Sequence, residues 1–452
     1  MEIMIVGCGK VGAALARKLI DEGHNITVVD TDPERVQHIT EELDVMGIVG
    51  NGASIAVLSE AGIETSDIFI AVTGSDELNL LCCLFAKKTA ACHTVARVRN
   101  PIYSKEIEFA KEQLEISAII NPELATAREI SRLLRFPAAM QIDAFADGMA
   151  NLIKFRLTEE TGLNGISLKQ FPDLFGNGVL ICAIERGDSV TIPSGDFILQ
   201  TDDVITFLAT SEQATAFFEK LHLSHRPVKN ALLVGGGTIS YYLAKDLLSH
   251  HIRVRIVEQK HDRCETLAEL LPEADILCGD GTDRNLLLEE GLESAEAFVP
   301  LTNLDEENVL LALFAKKLSH AKLVTKINRL EFDDILEGLD IGSVIYPKYL
   351  TCDFILQHIR SIQNEFGNKI KTLYHILDDR VEALEFTVET SSVVTEKNLS
   401  ELQLKPNLLI CCITRGNQII IPKGSDQIQV GDSVVVVTLN RGLQDIQDIV
   451  KK

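Results

Sequence analysis

The sequence predicts an α/β protein in which one two-part module occurs twice, each module combining a doubly wound parallel sheet with a smaller β-rich domain. A glycine-rich loop between a strand and a helix begins at Gly7 and recurs at Gly235. Later segments repeat in the same order: TGSDELNLLCCLFAKK from Thr73 corresponds to TNLDEENVLLALFAKK from Thr302, and LICAIERG in the first half returns as LICCITRG. The duplication therefore covers the whole module.

Strands and helices alternate through the first domain. A strand at 1–6, a helix at 11–21 and a strand at 25–30 predict a β-α-β unit. Further strands are predicted at 46–49, 68–73 and 94–98, with helices at 53–60 and up to residue 88. This alternation predicts a parallel sheet with helices on both faces. Thr73-x-x-Asp76 and Thr302-x-x-Asp305 predict that each threonine caps the helix that follows it.

An amphipathic helix leaves each sheet domain, at 121–136 and again at 349–361. Its apolar face suits either contacts between subunits or packing within the chain. Short strands and turns then fill 142–221, including a Pro-x-Gly turn at Pro193 that recurs at Pro422. The polar, proline-bearing segment 223–229 is the predicted joint between the halves. The predicted domains are 1–135, 141–223, 229–350 and 368–452.

The composition limits the classes of function. The chain has 452 residues, with 43 Lys and Arg against 66 Asp and Glu, a net charge of −23. This charge repels a polyanion and argues against nucleic-acid binding as the main function. No apolar run approaches the roughly 20 residues of a membrane-spanning helix, and the chain starts on a strand pattern instead of a leader. We therefore expect a soluble, cytoplasmic protein.

The first glycine loop has the pattern G-x-G-x-x-G from Gly7 to Gly12, and the next strand ends on Asp30. The first glycine allows a tight turn, the second lets a pyrophosphate approach the backbone, and the third allows close packing of helix on strand. An aspartate at that strand end accepts hydrogen bonds from ribose hydroxyls and repels a 2′-phosphate. The pattern favours NAD(H) or an adenine nucleotide over NADP.

The second loop departs from the pattern at its third glycine. It keeps Gly235 and Gly236, but Ser240 stands where Gly12 stands in the first half, and Glu258 takes the place of the strand-end aspartate. A change at the third position affects packing before it affects phosphate access. Both a bound ligand and a vacant pocket remain open here.

Basic side chains follow the fifth strand of the first sheet. Arg97 and Arg99 lie at the carboxyl end of that strand and are candidates for phosphate contacts, Arg99 equally for a solvated surface arginine. Their counterparts are Lys326 and Asn328, so we expect the halves to differ in affinity or ligand. The glycine pair in 50–52 and its counterpart in 279–281 suit either an adenosine contact or a plain turn.

Catalytic and metal-binding signals are weak. The ten cysteines include no C-x-x-C pair, and they read as small apolar residues in a reducing compartment. Cys8 lies inside the glycine loop, as a tolerated small residue or as a redox sensor. Hydride transfer needs a proton relay, but His222, His225 and His375 lie at the edges of the small domains without repeat partners. We predict no catalytic and no metal-ligating residue.

The set GCGKVG with VVD, AVTGSDE–N, VARVRN and the Pro-x-Gly turn, all of it duplicated, resembles the Trk system potassium uptake protein A family over nearly the whole chain. The resemblance implies a Rossmann-type RCK N-terminal domain and a small α+β RCK C-terminal domain, twice over. It implies binding of NAD(H), ATP or ADP without turnover. It also implies a homo-oligomeric ring that gates a transmembrane potassium-conducting Trk subunit from the cytoplasmic face of the inner membrane.

The family pattern also assigns ligand contacts by position. Those of the first half are Gly7, Cys8, Gly9, Lys10, Val11 and Gly12 around the phosphates, Asp30 at the ribose, and Thr73, Gly74 and Arg97. Those of the second half are Gly235, Gly236, Gly237, Thr238, Ile239 and Glu258. Two alternatives remain: an NAD-dependent oxidoreductase with a degenerate second half, and a nucleotide-responsive regulator of another cation or proton exchanger.

Overall fold

A computed structural model describes residues 1–101, 103, 107–145, 149–176, 178–223, 227–328, 339, 341–365, 370–376, 380–416 and 418–451. The chain forms two compact units, each assembled from both halves of the sequence. Unit 1 comprises residues 1–131 and 229–359, and unit 2 comprises residues 132–228 and 360–452. Within the described ranges, no helix is both long enough and apolar enough to cross a bilayer.

Unit 1 contains two parallel six-stranded sheets, and the first has the strand order β3-β2-β1-β4-β5-β6. Its strands are β1 Glu2–Val6, β2 Asn25–Asp30, β3 Met46–Val49, β4 Ile68–Ala71, β5 His93–Arg97 and β6 Ala118–Ile120. Its helices are α1 Lys10–Asp21, α2 Pro33–Glu42, α3 Ile55–Glu60, α4 Asp76–Thr89, α5 Ile107–Gln113 and α6 Pro122–Arg135. All four residues of β4 are buried, as expected of a central strand covered on both faces.

The second sheet of unit 1 repeats this order as β14-β13-β12-β15-β16-β17. Its strands are β12 Asn230–Val234, β13 Arg253–Glu258, β14 Asp275–Cys278, β15 Ala297–Pro300, β16 Lys322–Lys326 and β17 Ser343–Ile345. Its helices are α9 Thr238–Ser249, α10 His261–Leu270, α11 Arg284–Glu289, α12 Asp305–Leu318 and α13 Pro347–Glu365. The strand order reverses beside the first strand of each sheet, which is where ligands of doubly wound sheets bind.

The helix that leaves each sheet domain packs against the sheet domain of the other half. On α13, the carboxylate of Asp353 accepts a hydrogen bond from Lys18 Nζ of α1 at 2.8 Å. Reciprocally, Asn121 Nδ2, just before α6, donates to the Tyr242 hydroxyl of α9 at 2.9 Å. Of the two readings of the amphipathic helices, these contacts support packing within the chain.

Unit 2 contains two antiparallel five-stranded sheets with one topology, β10-β9-β11-β8-β7 and β21-β20-β22-β19-β18. The strands are β7 Gln141–Phe145, β8 Ala150–Arg156, β9 Leu180–Arg186, β10 Ser189–Thr191, β11 Val204–Ala209, β18 Ile370–Ile376, β19 Val381–Thr387, β20 Leu408–Arg415, β21 Gln418–Ile420 and β22 Ser433–Thr438. The helices are α7 Phe171–Phe175, α8 Ser211–Lys220 and α14 Val393–Glu396. The two sheets share one core, in which Leu152 and Cys182 of the first pack with Cys411 and Val437 of the second.

A buried ion pair recurs in the two small domains. Arg186 binds Asp203 through Nε and Nη2, both at 2.7 Å, and Arg415 binds Asp432 in the same way, both at 2.8 Å. Each aspartate is only 1 % exposed. Each arginine also donates a hydrogen bond to a backbone carbonyl, that of Ile198 in the first domain and that of Gln427 in the second. Both carbonyls lie in the loop that leads to the last strand of the domain, so the ion pair attaches this loop to the sheet.

The predicted helix caps at Thr73 and Thr302 are wrong. Helix α4 begins one residue after Ser75, whose hydroxyl accepts a hydrogen bond from Leu78 N–H, and Leu304 precedes α12 without a side-chain cap. The threonine hydroxyls bond instead to buried asparagines further along each helix. Helix α2, absent from the sequence prediction, is capped by the Asp32 side chain and has proline in its first turn.

Candidate functional site

The three glycines of the first loop have different surroundings. Gly7 has φ +109°, and a Cβ there would lie 3.0 Å from the backbone of Val72 and Thr73. A Cβ on Gly12 would lie 1.9 Å from the Gly7 carbonyl oxygen, whereas one on Gly9 would meet nothing within 4 Å. The first and third glycines are therefore required by the fold, and the second leaves open space over the backbone.

That open space lies at the start of helix α1. Gly9 is the N-cap residue and supplies no capping side chain. The first N–H groups of a helix have no partner within the helix, and the helix dipole adds positive potential at this end. The arrangement suits a phosphate group, which is the fit expected of a dinucleotide or an adenine nucleotide.

Asp30 lies opposite the loop at the end of β2. Its Oδ2 accepts a hydrogen bond from Cys8 N–H at 2.6 Å, and its Oδ1 accepts one from Asp32 N–H at 3.0 Å. The carboxylate is thus fixed by the backbone with lone pairs remaining for a ribose hydroxyl. Burial, then the charge of Asp30, raises the pKa of the Cys8 thiol to about 12, so this cysteine is a poor redox sensor.

The loop, the strand ends and the start of α4 enclose a cleft of about 240 Å³. Of the predicted site residues, Gly7, Gly9, Asp30, Thr73 and Gly74 line it. The cleft is also lined by Val6, Val29, Thr31, Arg35, Gly50, Asn51, Gly52, Val72, Ser75 and Leu78. Cys8, Lys10, Val11 and Gly12 lie in the loop and first helical turn without lining the cleft. The space is small for a whole dinucleotide, so a ligand of that size would be only partly enclosed.

Arg35 is a cleft residue that sequence reasoning missed. Its guanidinium lies 3.2 Å from the Asp32 carboxylate, and the side chain remains largely exposed. The only sequence signal was a basic residue in the first turn of an unpredicted helix. Its counterpart Arg263 donates through Nε to the Gly236 carbonyl at 2.7 Å, directly over the second loop.

A buried asparagine fixes the far wall of the cleft. Asn79 Oδ1 accepts hydrogen bonds from both the N–H and the hydroxyl of Thr73, at 2.8 and 2.7 Å, while its Nδ2 donates to the Arg97 carbonyl. Asn308 makes the equivalent bonds to Thr302 and Lys326 in the second half. The asparagine joins two neighbouring strand ends, so it positions Thr73 without reaching a ligand itself.

The structure places Arg97 outside the residues that line the cleft. Its Nη2 lies 3.4 Å from Glu123 Oε1 on α6, and both side chains are largely buried. Burial lowers the pKa of Arg97 and raises that of Glu123. Arg99 bonds to Asp76 and to the Gly74 carbonyl. The phosphate contact by Arg97 stays a prediction, because the guanidinium is paired with Glu123 and does not line the cleft.

The second loop reproduces the first with one substitution. Gly235 has φ +100°, and the Glu258 carboxylate accepts hydrogen bonds from Gly236 N–H at 2.7 Å and Lys260 N–H at 2.8 Å. Ser240 is fully buried, and its hydroxyl donates to the Gly235 carbonyl. A hydrogen bond thus replaces the close backbone packing that Gly12 permits. Gly237 is open, since a Cβ there would meet nothing within 4 Å.

Lys326 and Asn328, the counterparts of Arg97 and Arg99, both form hydrogen bonds within the protein. Lys326 is only 5 % exposed and donates through Nζ to the Leu301 carbonyl at 3.1 Å. Burial lowers its pKa to about 8. Asn328 bonds to Asp305. Neither counterpart of the two arginines is therefore directed at a ligand.

Among the residues that the structure describes, no group of three or more His, Cys, Asp or Glu side chains could hold a metal ion. His222 lies two residues after the end of α8 and has φ +55°. His225 and the side chain of His375 lie outside the described residues.

Comparison with known proteins identifies the domain families. Residues 3–122 and 231–347 match the TrkA-N domain, and residues 152–222 and 383–451 match the TrkA-C domain. The chain is 32% identical to the Trk system potassium uptake protein TrkA of Haemophilus influenzae, over 96% of this chain and 95% of the relative. It is also 32% identical to that of Halomonas elongata, over 99% of this chain and 98% of the relative.

Solved structures share the fold at lower identity. The GsuK channel bound to NAD matches with a TM-score of 0.63 and 18% identity, over 97% of this chain and 76% of the other. The GsuK RCK domain matches with a TM-score of 0.63 and 18% identity, over 96% and 92% of the two chains. The predicted pairing of Rossmann-type sheets with small RCK C-terminal domains is thereby confirmed.

Proposed function

The chain belongs to the Trk system potassium uptake protein TrkA family, and from that membership we propose that it is the nucleotide-binding regulatory subunit of a potassium uptake system. Two relatives that carry that name match this chain over 95% and 98% of their own length. The observation that carries the proposal is the first cleft, where an open Gly9, an uncapped helix start and a fixed Asp30 carboxylate face one another.

NAD(H) and adenine nucleotides are the ligand class that fits this cleft. The carboxylate of Asp30 suits a free ribose diol and disfavours a 2′-phosphate, and the helix start suits a pyrophosphate. Structures of the GsuK channel bound to NAD and bound to ADP share this fold. We propose phosphate contacts by Gly7 to Val11 and a ribose contact by Asp30, with Gly235 to Ile239 and Glu258 in the second half.

Regulation requires that the ligand discriminate between two conformations. A nucleotide that binds both with equal affinity shifts nothing, however tightly it binds. Helices α6 and α13 are the proposed coupling elements, because each leaves one sheet domain and packs on the other. The partner would be a membrane-embedded potassium-conducting subunit, contacted from the cytoplasmic side by a ring of copies of this chain.

A nucleotide titration with a turnover measurement tests the proposal. The purified chain should bind NADH in calorimetry and leave it unoxidised when candidate carbonyl substrates are added. Copurification with a Trk-type membrane subunit should give potassium flux that changes when NADH, ATP or ADP is supplied. Steady oxidation of NADH would instead support the dehydrogenase alternative, and capture of a different exchanger would redirect the proposed partner.

A further inference from the structure

Two cysteines lie together beside the second glycine loop. Cys264 is on α10 and its Sγ donates to the Glu258 carbonyl, while Cys278 ends β14 and is the register partner of Glu258 on β13. The equivalent positions of the first half are Val36 and Val49. All ten cysteines of the chain are free thiols; nine are buried and Cys278 is exposed. The pair is therefore specific to the second half, and one member is open to solvent.

An imidazole and a carboxylate complete the cluster. Cys278 Sγ lies 3.8 Å from Nδ1 of His261, the first residue of α10. The other ring nitrogen, Nε2, lies 3.5 Å from the Glu265 carboxylate. The carboxylate on one ring nitrogen orients the imidazole so that its other nitrogen faces the thiol. The imidazole is thus placed within reach of the Cys278 proton.

We propose that Cys264 and Cys278 form a redox-active pair that a hydroperoxide converts to a disulfide, with Cys278 as the attacking thiol. His261 accepts the Cys278 proton, and the thiolate attacks a peroxide oxygen and breaks the O–O bond. With hydrogen peroxide this gives a sulfenic acid on Cys278 and one water, formed when the leaving hydroxide takes the proton back. Cys264 then attacks the Cys278 sulfur, forming the S–S bond and releasing a second water. Two thiols are oxidised and one peroxide is reduced.

The environments of the two thiols assign their roles. Cys264 is 7 % exposed, and its Sγ donates to the Glu258 carbonyl at 3.3 Å. Burial raises its pKa to about 11, so it stays protonated and acts second. Cys278 is the thiol that a hydroperoxide reaches from solvent, and it has the imidazole as its neighbour. An attacking and a resolving cysteine are distinguished in this way in redox-sensing proteins.

Oxidation would act on the second glycine loop through Glu258. The Glu258 carbonyl accepts hydrogen bonds from Cys264 Sγ and from Gly279 N–H, and its carboxylate holds Gly236. A disulfide removes the thiol donor and ties α10 to the end of β14. This link to ligand binding rests on the proposed function, whereas disulfide formation does not.

Peroxide treatment of the reduced full-length chain tests the pair. We expect mass spectrometry after alkylation and digestion to show a Cys264–Cys278 crosslink. Cys264→Ser should accumulate a Cys278 sulfenic acid that dimedone traps, Cys278→Ser should give neither product, and His261→Ala should slow the reaction severalfold. Cys92→Ser, at a buried thiol remote from the pair, is the matched control and should react as the native chain does.

The outcomes separate the two proposals. Absence of the crosslink, or a crosslink to any other cysteine, would overturn the redox pair. An unchanged rate in His261→Ala would remove the imidazole from the mechanism. Nucleotide titration of the reduced and oxidised chains gives the second readout. A crosslink without any nucleotide binding would leave the pair intact and contradict the proposed function.

Discussion

The carboxylate at the end of the second strand connects the glycine loop to the cleft. Asp30→Ala removes the proposed acceptor of the ribose hydroxyls and also the acceptor of Cys8 N–H. A hydrogen bond to a charged group contributes about 1.5–3 kcal/mol, so we expect nucleotide affinity in the first half to fall by roughly 10–100-fold. Isothermal titration calorimetry measures this change. Glu258→Ala should leave the first site unaltered, and an unchanged affinity in Asp30→Ala would refute the ribose assignment.

Two glycines of the first loop should separate stability from binding. A Cβ on Gly12 would clash with the Gly7 carbonyl oxygen, so Gly12→Ala should destabilise the chain by about 1–3 kcal/mol. A Cβ on Gly9 has open space, and its φ of −76° suits any residue, so Gly9→Ala should retain the melting temperature. It should still weaken nucleotide binding, because the methyl group occupies the phosphate approach. Thermal unfolding and calorimetry together check both; equal melting temperatures for the two variants would contradict the packing argument.

The buried Lys326 predicts a pH dependence. Burial lowers the pKa of Lys326 in the folded chain to about 8, whereas an unperturbed lysine has a pKa of 10.5. Between these pH values the unfolded chain therefore binds one more proton at this side chain than the folded chain does. Its contribution to stability therefore rises with pH across that window and is lost as pH falls through 8. Lys326→Met should reduce the slope of the stability profile between pH 8 and 10, and Lys322, whose pKa burial also lowers to about 8, keeps the remainder. Urea unfolding at several pH values measures it, and Lys229→Met, at an exposed lysine immediately before β12, is the control. A profile that keeps its slope in Lys326→Met would contradict the assignment.

At the scale of elements, the recurrent Arg–Asp fork fixes the loop that precedes the last strand of each small domain. Asp203→Asn leaves Arg186 without its carboxylate, and breaking a buried pair costs about 3–5 kcal/mol. The arginine is partly exposed, so we expect the lower end of that range. Asp432→Asn should behave alike because the geometry is repeated. Thermal unfolding tests both, with the exposed Asp196→Asn as control; unaltered melting would contradict the role of the fork.

The strands of the parallel sheets were predictable because their signals are local. Apolar runs that end in glycine or a carboxylate predicted both glycine loops and the strand that ends on Asp30. Helix α2 was missed because Asp32-Pro33 reads equally as a turn. The cap at Thr73 was misplaced because a threonine hydroxyl satisfies either a helix start or a more distant asparagine, and only the fold brings Asn79 within reach.

The candidate site likewise combines residues that local sequence patterns predict with residues whose position depends on tertiary packing. Residues within one strand–loop–helix segment, such as Gly7 and Asp30, were predictable from spacing. Arg35 and the burial of Arg97 against Glu123 depend on how separate elements pack, so no local pattern reveals them. The burial of the Lys326 amine is of the same kind, since its partner carbonyl belongs to Leu301, which follows the neighbouring strand β15.

At the scale of the whole molecule, segments distant in sequence share each compact unit. The two small sheets bury one apolar face in common, which includes Cys182 and Cys411. A chain truncated after Leu223 loses half of that core and should associate with itself, because the repeat offers an equivalent face. Light scattering after size exclusion should show a dimer for the truncated chain; a stable monomer would contradict the shared core.

Joining two modules in one chain allows the two glycine loops to differ in sequence. Separate identical subunits must carry identical pockets, so a change in one is a change in all. Here Ser240, Cys264 and Cys278 occur in one copy, while Gly12, Val36 and Val49 occupy the equivalent positions in the other. A single chain thus carries two unlike glycine loops in a fixed one-to-one ratio, and each is free to diverge toward a different ligand.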